Sequence, residues 1–300
     1  MMPTAGPYLS RDELRLLRKR SDWRGAFMLL HAWGLIFGSM ALFAWWPNPL
    51  TFLLAVMVVG ARQLGLGILM HDAAHGLLFH DRKLNDWAGN WLCAYPQLLD
   101  LDIYRPYHFE HHRKTQQADD PDLPLSAKFP VSRASFLRKS LRDLTGLTFF
   151  RQYSAAMDSP ARPADSAAKR SLRGPVTANL VLLLMLTAAG KPHYYLMFWA
   201  LPLATWRMWV TRLRNIAEHA VVRDNDDPLL HARTTLANPL ERLFVAPYYV
   251  NYHLEHHLYM WIPCYNLPRA HRLFRQKGLE PRMEIRRGYG AVLRLAIIHP

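Results

Sequence analysis

The sequence predicts an all-α integral membrane fold, with four transmembrane helices in two hairpins and a cytoplasmic helical cap. Three observations predict it. Four apolar stretches fall into two pairs, each joined by a short proline-bearing tip. Nearly all basic residues lie outside those stretches. Eight of the fifteen histidines form three tight clusters outside the tips. The mean hydropathy of −0.10 averages over this segregation and conceals it.

Residues 26–46 (AFMLLHAWGLIFGSMALFAWW) carry no charge. As a helix they extend about 31 Å, enough to cross a bilayer core. A second apolar stretch runs from Leu50 to Met70, broken by Arg62 and Gln63. A third covers Val176 to Gly190, and a fourth Tyr194 to Val210, with Arg207 inside it. Pro47-Asn48-Pro49 joins the first pair and Lys191-Pro192-His193 the second, so each pair reads as a hairpin. The chain is then one domain: an N-terminal arm (1–25), a first transmembrane hairpin (26–71), a first part of the cap (72–175), a second hairpin (176–210) and a second part of the cap (211–300).

Of 37 Lys and Arg residues, only Arg62, Lys191 and Arg207 lie in the spans or their tips. The positive-inside rule therefore puts both termini and the cap in the cytoplasm, which in a bacterium means a multi-pass protein of the inner membrane. A net charge of +14 suits anionic lipid headgroups, and no nucleic-acid motif competes for it. Residues 133–150 fit a basic amphipathic helix, with Phe136, Leu137, Leu141, Leu144 and Leu147 toward lipid and Arg138, Lys139 and Arg142 toward headgroups. Ser154 to Gly174, rich in Ala, Ser and Pro, reads as a mobile linker. Trp45-Trp46-Pro47 stands where a cleavable signal needs small residues. Cys93 and Cys264 are too few for a disulfide framework and read as thiols. Arg62 and Arg207 read as side chains that snorkel to headgroups, the other reading being that they line a polar pocket.

The histidine clusters are His71-Asp-Ala-Ala-His75, His108-Phe-Glu-His111-His112 and His253-Leu-Glu-His256-His257. Spacings of three and four residues put side chains on one helical face. Isolated histidines such as His31, His193, His231, His271 and His299 read as ordinary hydrogen-bonded residues. Clustered imidazoles compete for protons and call for a cation. Eight exceed what one zinc takes, so two metal ions are implied. Imidazole alone does not choose among iron, copper, nickel and zinc. The Glu-x-x-His of soluble di-iron bundles is absent, as is the His-Glu-x-x-His of zinc proteases. After the fourth apolar stretch, Asn215 and His219 stand one helical turn apart, which offers a ninth ligand; Asn215 reads equally well as a helix-face amide.

These motifs resemble the three histidine boxes of the membrane fatty acid desaturase superfamily. The resemblance rests on His71-Asp-Ala-Ala-His75-Gly, on Tyr107-His108-Phe-Glu-His111-His112 followed by Asp119-Asp120-Pro121-Asp122, and on Asn251-Tyr-His253-Leu-Glu-His256-His257. It runs from about residue 30 to 275. It implies a non-haem centre of two irons held by His71, His75, His108, His111, His112, His219, His253, His256 and His257, with Asn215 as a polar or water-mediated contact. Three residues between the histidines of the first box match acyl-lipid desaturases and carotenoid ketolases. The third box begins with His, where front-end desaturases have Gln. No His-Pro-Gly-Gly haem motif occurs, so electrons are expected from a separate ferredoxin or small cytochrome. Asp72, Glu110, Glu218 and Glu255 adjoin ligand histidines and are suggested acceptors for second ring N–H groups, the other reading being solvent-facing charge.

The resemblance implies a dioxygen-dependent oxidoreductase. The leading expectation is a desaturase that introduces a C=C bond into an acyl chain of a membrane lipid. The alternative is a hydroxylase or ketolase acting on an alkane, sphingoid or carotenoid. A non-enzymatic metal-binding membrane protein stands third, although transport favours ligands strung along a path through the bilayer.

Overall fold

The computed structural model describes residues 8–158 and 171–298, which form an all-α molecule with two short parallel strand pairs. Helix α1 (Arg11–Leu17) opens with a capping box between Ser10 and Glu13. Helix α2 (Asp22–Trp45) starts at Ser21, whose hydroxyl accepts the Arg24 N–H. Helix α3 (Pro49–Ala74) starts under Asn48, with Pro49 at a position whose missing N–H costs nothing. These two helices, of 24 and 26 residues, extend about 36 and 39 Å against a hydrocarbon core of about 30 Å. They pack as the expected first hairpin. Trp23, Phe27, Leu30, Trp45 and Trp46 of α2 and its tip face outward. By contrast, α3 and the turn after it are buried from Val59 to Phe79 except at Gly67.

The turn after α3 is fixed by Asn85 of α4 (Arg82–Ala88). Its amide accepts the Leu78 N–H at 3.1 Å and donates to the Ala73 carbonyl at 2.9 Å. A π-helical segment, Gly89–Ala94, leads toward α5 (Leu101–Lys114), which starts when Asn90 accepts the Leu101 N–H at 2.9 Å. A short α6 (Leu123–Ser126) follows. The expected basic amphipathic helix is present as two helices, α7 (Arg133–Leu144) and α8 (Leu147–Asp158), with Gly146 at φ 80° between them. Leu137, Leu141, Leu144 and Leu147 are exposed, whereas Phe136 packs inward beside Val292 and Ile216. The expected linker from Ser154 is still helical to Asp158, and most of its remainder lies outside the described residues, as does His299.

The expectation of four transmembrane helices in two hairpins needs correction. Among the described residues, α2 and α3 alone are long and apolar enough to cross a membrane. The third apolar stretch forms α9 (Arg173–Ala188), only 16 residues long. The fourth is broken into α10 (His193–Tyr195), a π segment at Leu196–Ala200, and α11 (Leu201–Ala204). Thr205, at φ −118° and ψ −86°, then separates it from α12 (Trp206–His219). Hydropathy counts side chains and is blind to this break. Pro202 brings no N–H to the helical ladder, and the π segment leaves the Trp199 carbonyl to accept Gln63 Nε2 at 2.9 Å. Membrane association therefore rests on the α2–α3 hairpin.

Helices α13 (Pro239–Phe244), α14 (His253–Leu258), α15 (Leu267–Gln276) and α16 (Tyr289–Ala296) complete the cap. Strand β2 (Thr234–Leu236) pairs in parallel with β3 (Ile285–Arg287), and β1 (Val131–Ser132) pairs with β4 (Ile297–Ile298). Arg62 does not snorkel. It donates to the Leu243 carbonyl at 2.5 Å and lies over the Tyr248 ring, tying α3 to the cap.

A close approach holds α2 to the turn after α3. A Cβ added at Gly25 would lie 2.1 Å from the Leu78 carbonyl oxygen, whereas one at Gly38 meets nothing within 4 Å. Asn85 pins the Leu78 backbone, so it has little room to yield. We expect Gly25→Ala to destabilise the protein by about 1–3 kcal/mol. Gly38→Ala should be neutral or stabilise by up to about 1 kcal/mol. Thermal melts of both variants in detergent check this, and equal melting temperatures would contradict the packing described.

Candidate metal centre

Four helices deliver nine imidazoles to one place. His71 lies in the last turn of α3 and His75 caps it. His111 and His112 lie in the last turn of α5, and His219 ends α12. The free carbonyls of a helix C-terminus carry partial negative charge, so three helices end where a cation is favoured. Helix α14 supplies His253, His256 and His257.

The nine divide into two groups. His71, His75, His108, His112 and His256 bring one ring nitrogen each to within 4.8 Å of one another, and His111, His219, His253 and His257 do the same. The division runs through the boxes. In each His-x-x-His-His motif the first and last histidines, one turn apart, serve one group. The middle one, rotated around the helix, serves the other. The motif is therefore what a helix needs in order to contribute to two adjacent points at once.

Within the groups, Nε2 atoms face Nε2 atoms. The separations are 3.0 Å for His75–His108 and for His108–His112, and 2.9 Å for His112–His256. They are 2.9 Å for His219–His253 and 3.0 Å for His253–His257. With metal–nitrogen bonds of about 2.1 Å, neighbouring ligands lie about 3.0 Å apart at right angles and about 3.4 Å at tetrahedral angles. Nitrogens this close would suit joint coordination of one ion by each group. Neither ring nitrogen of His71 has a hydrogen-bond partner. Burial first, then the neighbouring imidazoles, hold His108, His112, His219, His253, His256 and His257 well below the usual histidine pKa. Neutral imidazole is the ligand form. This is a di-iron-type histidine cluster.

Groups around the cluster orient several rings. His111 Nδ1 donates to the fully buried Asp120 at 2.8 Å, and Asp120 also accepts the N–H groups of Gln116 and Asp122 at 2.8 Å each. His219 Nδ1 meets the His231 carbonyl at 3.2 Å, and His257 Nδ1 meets the Thr115 hydroxyl at 3.2 Å. Glu218 lies 3.3 Å from His253 Nδ1 and accepts from Arg214 at 2.6 Å. Burial pushes its pKa up to about 7 against the opposing pull of that guanidinium. Asp72 lies 3.6 Å from His71 Nδ1 and accepts the Cys264 N–H at 3.0 Å. Glu110 instead pairs with Arg113 and Lys114, and Glu255 with His271 and Thr234. Adjacency in sequence pointed to Glu110 and Glu255, although a helix turns neighbours about 100° away. Asp120 has no such adjacency. Its signal was its position in the acidic run just after the second box.

A cavity of ≈ 350 Å³ opens beside the cluster, reached by His71, His108, His111, His219 and His253. Asn215 lines it and belongs to neither histidine group. Tyr104 stacks on His108 with ring centroids 5.1 Å apart, and Trp261 packs edge-on to His75 at 5.7 Å.

An all-α, membrane-associated chain with this centre is an oxidoreductase of the non-haem di-iron type. The fatty acid desaturase pattern matches residues 44–289, and the chain belongs to that family. It is 28% identical over 244 residues to a dihydrorhizobitoxine desaturase of Bradyrhizobium elkanii, covering 77% of this chain and 68% of the relative. It is 27% identical over 233 residues to a β-carotene 4-ketolase of Protosiphon botryoides, covering 77% of this chain and 53% of that protein. It is also 23% identical over 279 residues to an sn-1 oleoyl-lipid 12-desaturase of Anabaena variabilis, covering 84% and 76%.

Orientation of His111 by Asp120 has a measurable consequence. Asp120→Asn should weaken metal binding about 10–100-fold at one of two sites, so that dialysed protein retains about one ion. Glu110→Gln, which alters an ion pair at the rim, should retain as much metal as the parent. Metal analysis after dialysis against a weak chelator distinguishes the two, and equal retention by both variants would remove the role given to Asp120.

Proposed function

We propose that the protein is a di-iron desaturase that introduces a C=C bond into an acyl chain of a membrane lipid. The observation that carries this reading is the five-and-four division of nine imidazoles, without a carboxylate in either group, beside a cavity above the apolar hairpin. His71, His75, His108, His112 and His256 would hold one iron, and His111, His219, His253 and His257 the other. Asn215, on the cavity wall, would be a polar or water-mediated contact. When bound, the irons supply reductive activation of dioxygen against an unactivated C–H bond.

The balance is one –CH2–CH2– unit, dioxygen, two electrons and two protons giving –CH=CH– and two waters. The electrons come from a separate ferredoxin or small cytochrome. The protein's part is positional. Asp120, Thr115 and the His231 carbonyl hold ring orientations. The cavity wall fixes which carbon pair faces the histidines, and burial limits water at the reacting carbon. The basic cap faces the cytoplasm, in a bacterium from the inner membrane, and both termini lie on that side.

Ketolation or hydroxylation is the second reading. It is favoured by an identity to the Protosiphon botryoides ketolase only one percentage point below that to the Bradyrhizobium elkanii desaturase. Expression in a host of defined lipid composition, followed by mass spectrometry, separates the two. We expect a product two daltons lighter than its precursor that disappears with His257→Ala; a product gaining oxygen would replace the first reading with the second.

A further inference from the structure

The cavity beside the histidines has a wall that a hydrocarbon chain alone does not need. Leu64, Ile68 and Leu99 line one part of it, but Arg207, Thr211, Arg214, Asn215 and Glu218 also line it. Each of the five lies three or four residues from another, so one broad face of α12 forms the polar wall. Arg214 is paired there with Glu218 at 2.6 Å. Arg62 of α3 also has an unpartnered Nε, but its Nη2 donates to the Leu243 carbonyl and its guanidinium lies over the Tyr248 ring.

Arg207 differs from both. Among the described residues no carboxylate lies within ion-pair distance of it. Its Nε is buried without a hydrogen-bond partner, and Nη1 reaches only the Met208 sulfur at 3.5 Å. A half-buried cation with no counter-ion is poorly compensated, and an anion of the right geometry in the cavity supplies what is missing. Guanidinium suits carboxylate and phosphate oxygens through paired N–H donors.

We propose that Arg207 binds the anionic group, a carboxylate or a phosphate, of the substrate that occupies this cavity. Arg207 and His219 stand twelve residues apart on one helix, about 18 Å along its axis. The occupant is therefore elongated, with its anion at the Arg207 end and the C–H bonds to be oxidised at the histidine end. Neutral hydrocarbons have nothing to offer Arg207. Calling the occupant a substrate rests on the function proposed above; the anion site itself is tested by binding without turnover.

Dodecanoate, dodecyl phosphate and dodecanol, titrated calorimetrically into the metal-loaded protein in a nonionic detergent, provide the test. We expect at least one anion to bind at least tenfold more tightly than the alcohol. Preference for dodecanoate points to a free carboxylate and preference for dodecyl phosphate to a lipid phosphate. Arg207→Gln should abolish the preference and Arg207→Lys retain part of it, with metal content unchanged in both. Equal binding of the alcohol and both anions by the parent protein overturns the proposal, and that comparison needs no variant to fold. A preference that survives Arg207→Gln overturns it as well. An anion preference without any oxidised product refutes the reaction alone, whereas an active enzyme indifferent to charge refutes the anion site alone.

Discussion

The strongest constraint on the fold is the gathering of nine largely buried imidazoles into two clusters, with ring nitrogens 2.9–3.0 Å apart. Every large feature of the fold serves to hold that arrangement. The long helix α3 is enclosed by the rest of the chain over its second half and ends at His71 and His75. Helices α5 and α12 also end at the cluster, so three sets of free carbonyls face it. Asp120, the His231 carbonyl and Thr115 then fix ring rotation from outside. Metal binding and folding are coupled in such a design, because each ion would cross-link histidines from several helices.

The site was more legible in the sequence than the fold. Spacings of three and four report helical faces directly, so the three boxes could be assembled before any tertiary contact was known. His219 was found by extending a helix, and His219 does stand with His111, His253 and His257. What spacing cannot report is rotation about a helix at its neighbours. Glu110 and Glu255 adjoin histidines in sequence yet turn to Arg113 and His271. Asp120 is nine residues from the ring it holds, brought back by the turn after α5.

The fold departs from the sequence expectation where hydropathy does not report helical continuity. Residues 194–210 are apolar enough to suggest a span, but the backbone changes its hydrogen-bonding three times across them. A π segment, Pro202 and the Thr205 break are features of backbone geometry, and only proline among them is visible as a letter. Arg62 departs from expectation for a related reason. A snorkelling side chain and one that bonds to the cap carry the same charge at the same place in the sequence, and only the position of residues 242–248 separates them.

The break at Thr205 is also what gives the cavity its chemistry. A helix continuous from Tyr194 would keep one rotational phase, with its apolar residues dictated by the packing of Phe198 and Trp199 against α2 and α3. Restarting at Trp206 frees α12 to choose another phase. Its apolar face, with Val210, Ile216 and Ala217, joins the smaller core formed with Leu64 and Ile68. Its polar face, from Arg207 to Glu218, is thereby turned into the cavity. Gly60 permits the close approach that this requires, since a Cβ there would meet the Arg207 backbone nitrogen at 3.0 Å. The interruption that removes a spanning helix is thus the same feature that sets a polar wall beside the histidines.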